Sequence, residues 1–430
     1  MTRTTVLLLV VFLAGLTRDQ ACAQTGRSEL LPSQRSLNRF GLKRAWWAQT
    51  NLTPSRDAIR HIVVDEENLY VQATSGLVTA FDNQTGRQLW SAQLGRRDQS
   101  SFPAVSNNNL ALFCTGIRLF AVSKFEGDVI WELNLPGHPS TSPAIDNNQV
   151  YVATLDGSVY AFSLKTIHRL FNAGLLPQWT RQSRRWRFKT AKAITTPLLT
   201  NGRVVNFASR DKSLYAVTTV QRDVIFQFET DAAVSAPIAV SDEYLFMASE
   251  DYKLYCVNMN NGSMRWPPFT TGLPIREAPV VLGQQVLVQP VRGGMYSVST
   301  VTGLRQWWNP QLGRFLAATS SFIYTSDSTG NVVLADLKTG HTMGVLPLRN
   351  YSVRKSNIRT DRLYLGTQTG RVICIHEQSQ DYPVFHIHPE RRPILPQFAP
   401  DVAPAAADPA AADPAAADQE DAGAKNANQP

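Results

Sequence analysis

Four aspartates are the residues best suited by type to act as a general base or to hold a hard cation: Asp156, Asp211, Asp251 and Asp327. A carboxylate can take a proton from a bound hydroxyl, and several together can share a calcium ion through oxygen. One carboxylate alone does not hold the cation, and as a base it needs neighbours that position and activate the substrate. Each of the four lies in a short hairpin turn between strands, where Asp is favoured because it bonds its own backbone. No nucleophile–base–acid set, metal-ligand spacing or phosphate-cradling glycine loop accompanies them. No catalytic residue is assigned, and the chain reads as a non-enzyme.

Metal ligation fares no better. His168 has no second ligand at i+3 or i+4. His386 and His388 would point to one side of a strand, but two imidazoles need further ligands, and the pair reads as a polar strand edge. Four cysteines occur. Cys22 falls in the leader described next. Cys114, Cys256 and Cys374 are odd in number and widely spaced, which suits buried free thiols and no disulfide framework. No metal and no cofactor is expected.

The start of the chain reads as a secretory signal. Arg3 supplies the positive end, residues 6–16 are apolar, and Ala21-Cys22-Ala23 fits the small-x-small cleavage rule. The apolar run is too short to span a bilayer. Asp19 stands three residues before Cys22, where a lipidated leader wants an apolar residue, so simple secretion is favoured over lipidation. Secretion across the inner membrane implies a periplasmic or outer-membrane-associated protein. The formal net charge is +8, and the body between leader and tail is near +12. Such a body suits an acidic protein or an anionic membrane surface, and export argues against nucleic acid.

The elements that carry these residues repeat. Leu69-Tyr-Val-Gln-Ala-Thr-Ser-Gly-Leu-Val-Thr-Ala-Phe81 is an alternating strand, a turn and a second strand with a small residue at its centre. Seven further copies centre on Ala121, Ala161, Ala216, Cys256, Ser297, Ala335 and Cys374. Counted from Ala80, the spacings are 41, 40, 55, 40, 41, 38 and 39 residues. A period near 40 matches one four-stranded propeller blade. Most copies continue through a Gly turn to an aromatic strand, as in Thr85-Gly86-Arg-Gln-Leu-Trp90, and Pro103, Pro143, Pro197, Pro237 and Pro279 open the following units. The last hairpin, 363–375, has no aromatic strand after it. The first aromatic strand, around Trp46 and Trp47, has no hairpin before it. The N-terminal strand is therefore expected to complete the last blade and close an all-β, eight-bladed propeller. The expected divisions are a leader (1–23), a linker (24–41), the propeller (42–390) and an Ala/Pro/Asp-rich tail (391–430). Eight of the nine tryptophans lie in or beside one position per blade, which reads as blade-to-blade packing.

The phrase Gly-x-Val-Tyr-Ala-Phe…Thr-Gly-x-x-x-Trp resembles the repeat of quinoprotein (PQQ) dehydrogenases and their non-enzymatic relatives. In size the chain is most similar to the BamB-like family, a propeller component of the outer-membrane β-barrel assembly machinery. That resemblance implies a cofactor-free scaffold that binds an outer-membrane β-barrel assembly subunit or other envelope proteins. It assigns partner contact to Leu273, Ile275 and Arg276, in Leu273-Pro-Ile-Arg-Glu-Ala-Pro279. The next loop of that family is acidic, and here Gln311-Leu-Gly-Arg-Phe315 carries no acid. The dehydrogenase alternative lacks the adjacent cysteines that many such enzymes carry.

The 55-residue interval marks an insertion at about 165–186. It reads as a basic loop with interleaved Trp179 and Trp186. Arg181, Arg184 and Arg185 are its candidate contacts with an acidic partner or anionic head groups. A cell-wall or carbohydrate binder is a further alternative. A monomeric ring is expected.

Overall fold

The computed structural model describes residues 31–386. The leader with Cys22, His388 and the Ala/Pro/Asp-rich segment lie outside the described residues. Within them, eight antiparallel sheets of four strands follow one another around a ring. Blades 1 to 7 run in chain order: 59–93, 105–134, 144–189, 199–229, 239–270, 280–309 and 315–346. Blade 8 joins Val353–Arg354, Leu363–Gly366 and Arg371–Glu377 to the N-terminal strand Leu42–Gln49. Trp46 pairs with Cys374 across that last ladder. The expected closure is what the fold does, and both otherwise open edges are satisfied.

The small central residues are all buried, and the reason is packing. Six of them face a large side chain of the outer strand: Ala80 opposite Trp90, Ala121 opposite Trp131, Ala161 opposite Trp186, Ala216 opposite Phe226, Ser297 opposite Trp307 and Cys374 opposite Trp46. At five junctions the aromatic ring then lies on the glycine turn of the next blade. A Cβ on Gly86 would run into the Trp46 ring, and one on Gly340 into the Trp307 ring. Both glycines also hold positive φ, which the tight turn requires. The indole N–H of Trp46, Trp90, Trp186, Trp266 and Trp307 each donates to a backbone carbonyl of the following blade. In five of the eight blades one residue thus supplies burial, shape and a hydrogen bond across the junction. Trp47 and Trp308 lie beside this slot and are half exposed.

Three details differ from the repeat. The outer strand of blade 5 shrinks to Phe269–Thr270, because Pro267 and Pro268 cannot donate to the ladder. The opening prolines stand just ahead of their inner strands; Pro143, for instance, precedes Ala144–Ile145. The segment expected as a linker carries a short helix, α1 (Gln34–Asn38), capped by the Ser33 hydroxyl. Leu37 of α1 is buried against blades 7 and 8, and the Phe40 ring covers Gly344 where blade 7 lacks its aromatic.

Cys114, Cys256 and Cys374 are free and buried, and burial pushes each thiol up to about 12. Only thiolate is nucleophilic. In native protein at pH 8 all three are expected to resist a thiol reagent such as iodoacetamide, and to react together on denaturation. Mass spectrometry of the alkylated chain reads the outcome, and rapid native labelling of any of the three would contradict their burial.

Candidate binding faces of the ring

Strand direction divides the loops between two faces. The connections that lead from each outer strand to the next blade, including 271–279, lie on one face, the linker face. The turns joining third to outer strands, including the insertion of blade 3, lie on the other, the insertion face.

On the linker face, Ile275 bridges Pro290 and is 0% exposed, packed with Phe246, Trp266 and Val288. This corrects its expected role. Ile275 anchors the loop in the core and cannot touch a partner. Leu273, by contrast, is 41% exposed. The Arg276 side chain is 64% exposed, with only a 3.7 Å approach to Glu250, a surface pair of little energetic weight. In the following loop, Arg314 lies 3.4 Å from Glu277, so the loop that carries no acid meets one supplied by its neighbour.

The central channel has a volume of about 340 Å³. Prolines, aliphatics, Arg314, Lys355 and Arg359 line it. Lys355 is held below the usual lysine range by burial first, then by the Arg314 charge, with Glu277 opposing them. The residues present do not fit a calcium–quinone pair. Glu277 is the one carboxylate lining the channel among the described residues, and it is paired. Nowhere among the described residues do three acids, imidazoles or thiols converge.

The four turn aspartates are occupied locally. Asp211 accepts from the Tyr215 hydroxyl at 2.9 Å, and Asp251 accepts from that of Tyr255. Asp327 accepts from Thr329 and Asn331. Asp156 accepts from Thr154, Ser158, Arg187 and Lys189. Burial alone would raise its pKa, but these donors outweigh burial and hold the carboxyl below the ordinary range. The His386 ring meets the Ala318 carbonyl at 2.9 Å.

On the insertion face, the segment expected as a loop is two helices, α2 (Leu164–Asn172) and α3 (Thr180–Ser183). Leu164, Ile167 and Leu170 bury one face of α2, and Leu164 and Ile167 join the core that holds Trp131. The insertion stands where other blades have their glycine turn. Trp131 is accordingly fully buried, but its indole N–H has no hydrogen-bond acceptor among the described residues. Arg181, Arg184 and Arg185 are all exposed, and among the described residues none forms an ion pair with an acid. Arg185 lines a groove with Lys165 and His168; Arg181 and Arg184 lie outside it.

Reading the sequence missed a buried charge cluster near the same face. Lys124 Nζ lies 2.7 Å from Asp65 and 3.2 Å from Glu67, and Arg359 approaches Asp65 at 3.5 Å. These groups come from blades 1, 2 and 8, and no spacing in the chain announces them.

A family profile described as outer membrane protein assembly factor BamB matches residues 74–185 and 213–381. A protein named outer membrane protein assembly factor BamB, from Burkholderia pseudomallei, is 30% identical over 98 residues; these are 23% of this chain and 25% of that one. The crystal structure of BamB from Moraxella catarrhalis superposes with a TM-score of 0.61 at 17% identity, covering 79% of this chain and 98% of that one. The computationally designed Ika8 protein also superposes with a TM-score of 0.61, at 12% identity, over 75% of this chain and 96% of its own. These likenesses in structure speak to the fold alone, whereas the profile spans well over half of the sequence. A closed ring of eight PQQ-type blades, read together with that profile, places this chain in the outer membrane protein assembly factor BamB family.

Proposed function

We propose that this propeller is a non-catalytic scaffold of the cell envelope, exported across the inner membrane, that engages an outer-membrane β-barrel assembly subunit through its linker face. One observation carries the reading: Leu273 and Arg276 project from a loop whose root, Ile275, is locked in the core. An apolar and a cationic side chain held on a rigid base make a preorganised contact, which lowers the ordering cost of binding. The names of the relatives support the assembly setting. Arg181, Arg184 and Arg185 form a second, basic surface on the insertion face, suited to an acidic partner or anionic head groups.

The test is co-purification of envelope proteins after mild crosslinking. The double variant Leu273→Glu, Arg276→Glu is expected to lower the apparent affinity roughly 30-fold or more, the scale of losing an interface hot spot, with the melting temperature unchanged. Replacing Arg184 and Arg185 by Ala should have a smaller effect that fades with salt. Recovery of the same partners at full yield from the double variant would end the proposal.

A further inference from the structure

A groove of about 670 Å³ opens on the insertion face where the 107–110 and 146–149 hairpins of blades 2 and 3 meet α2. Its wall is polar in an unusual combination. Lys165, His168 and Arg185 line it, and none of their side chains makes a hydrogen bond or ion pair among the described residues. The N-terminal residues of α2, Ser163 to Lys165, line it too, adding the positive end of a helix. Amides fill the opposite wall, Asn107 and Asn148 among them. The acid present, Asp146, is already committed: it accepts from the Tyr151 hydroxyl at 2.8 Å and from the N–H groups of Asn148 and Gln149 at 2.7 Å each.

Gln149 adds an independent demand. It is 3% exposed, and its Nε2 donates to the Thr219 carbonyl at 3.0 Å. Gln149 lines the groove, and its Oε1 is buried with no donor among the described residues. A buried acceptor left unpaired costs about 1–3 kcal/mol, and a hydroxyl from a ligand would relieve it. A bare anion offers the cations what they lack but gives Gln149 nothing. A neutral sugar does the reverse.

We propose that this groove binds a sugar that carries a phosphate or carboxylate. The anionic group faces Lys165, Arg185 and the helix N-terminus, and the sugar hydroxyls engage Gln149 and the asparagine amides. This site is separate from the linker-face loop and does not depend on the assembly reading.

Isothermal titration of the full chain with glucose 1-phosphate tests it, against glucose alone, inorganic phosphate alone and phosphatidylglycerol vesicles at matched ionic strength. Glucose 1-phosphate should bind at least tenfold more tightly than glucose or phosphate. Lys165→Ala and Arg185→Ala, both at exposed positions, should each weaken it severalfold. Asn148→Ala should weaken glucose 1-phosphate while leaving phosphate unchanged, and Leu273→Glu should leave both unchanged. Equal affinity for phosphate and sugar phosphate would reduce the groove to an anion site and overturn the proposal. Binding of vesicles without sugar phosphate would overturn it in favour of a membrane surface, and binding of none of the four would overturn it outright.

Discussion

Trp46→Ala is expected to destabilise the ring by about 3–5 kcal/mol, the range for removing a buried large aromatic. Three contacts are lost at once. The ring lies on the Gly86 turn of blade 1, its indole N–H donates to the Asn83 carbonyl at 2.9 Å, and it packs 6.1 Å from Tyr364 between ring centres. Position matters as much as size. Trp46 belongs to the strand that supplies the fourth member of blade 8, so the loss falls on the joint between the two ends of the described fold. Any other blade junction is backed by continuous chain on both sides. Trp47→Ala is the matched control: the same residue type one position on, half exposed, should cost under about 1 kcal/mol. Denaturant unfolding followed by tryptophan fluorescence reads both variants. Equal midpoints for the two would mean that the N-terminal strand does not bear on closure.

Lys124→Ala should cost a comparable amount, about 3–5 kcal/mol, because breaking a buried pair strands a charge. Lys124 and Asp65 side chains are 4% and 6% exposed. Without the ammonium, Asp65 keeps the Ser106 hydroxyl at 2.7 Å, the Glu66 backbone N–H at 2.6 Å and the more distant Arg359. The effect carries a pH signature. Burial alone would raise the Asp65 carboxyl, but the charge and hydrogen bond of Lys124, followed by Arg359 and Ser106, hold it below the usual range. A carboxyl depressed in the fold stabilises above its unfolded value of about 3.9 and loses that contribution as the pH falls through the folded value. The gap between parent and variant should therefore be full at pH 7 and narrow progressively below about pH 4. A gap that stays constant with pH would show that the lysine acts by packing alone.

What could be read from the chain, and what could not, divides along a physical line. The blade repeat was legible because most copies place a small residue under a large one. Ala80 with Trp90 and Ala121 with Trp131 repeat that pairing at a fixed distance along the chain. Ring closure was legible as a count, since one aromatic strand lacked a hairpin and one hairpin lacked a strand. The helices of the insertion were not foreseen, although Leu164, Ile167 and Leu170 recur at helical spacing. The density of basic residues drew attention to surface charge and away from that apolar stripe. Ile275 illustrates the converse limit. A four-residue stretch of Leu, Pro, Ile and Arg has no period by which to tell inward from outward, and only the Pro290 bridge decides it. The Lys124–Asp65 pair and the unpaired Gln149 oxygen arise from segments that meet across blades, and neither neighbour is visible from its own sequence.

The reading of this chain as a linker-face scaffold stands or falls on what touches position 273. A photo-crosslinking residue placed there, in cells that export the full chain, is predicted to give one discrete covalent adduct with an outer-membrane β-barrel assembly subunit. The same probe at position 165 on the insertion face should not give that adduct. Irradiation that yields no adduct from 273, or the same adduct from both faces, would contradict it.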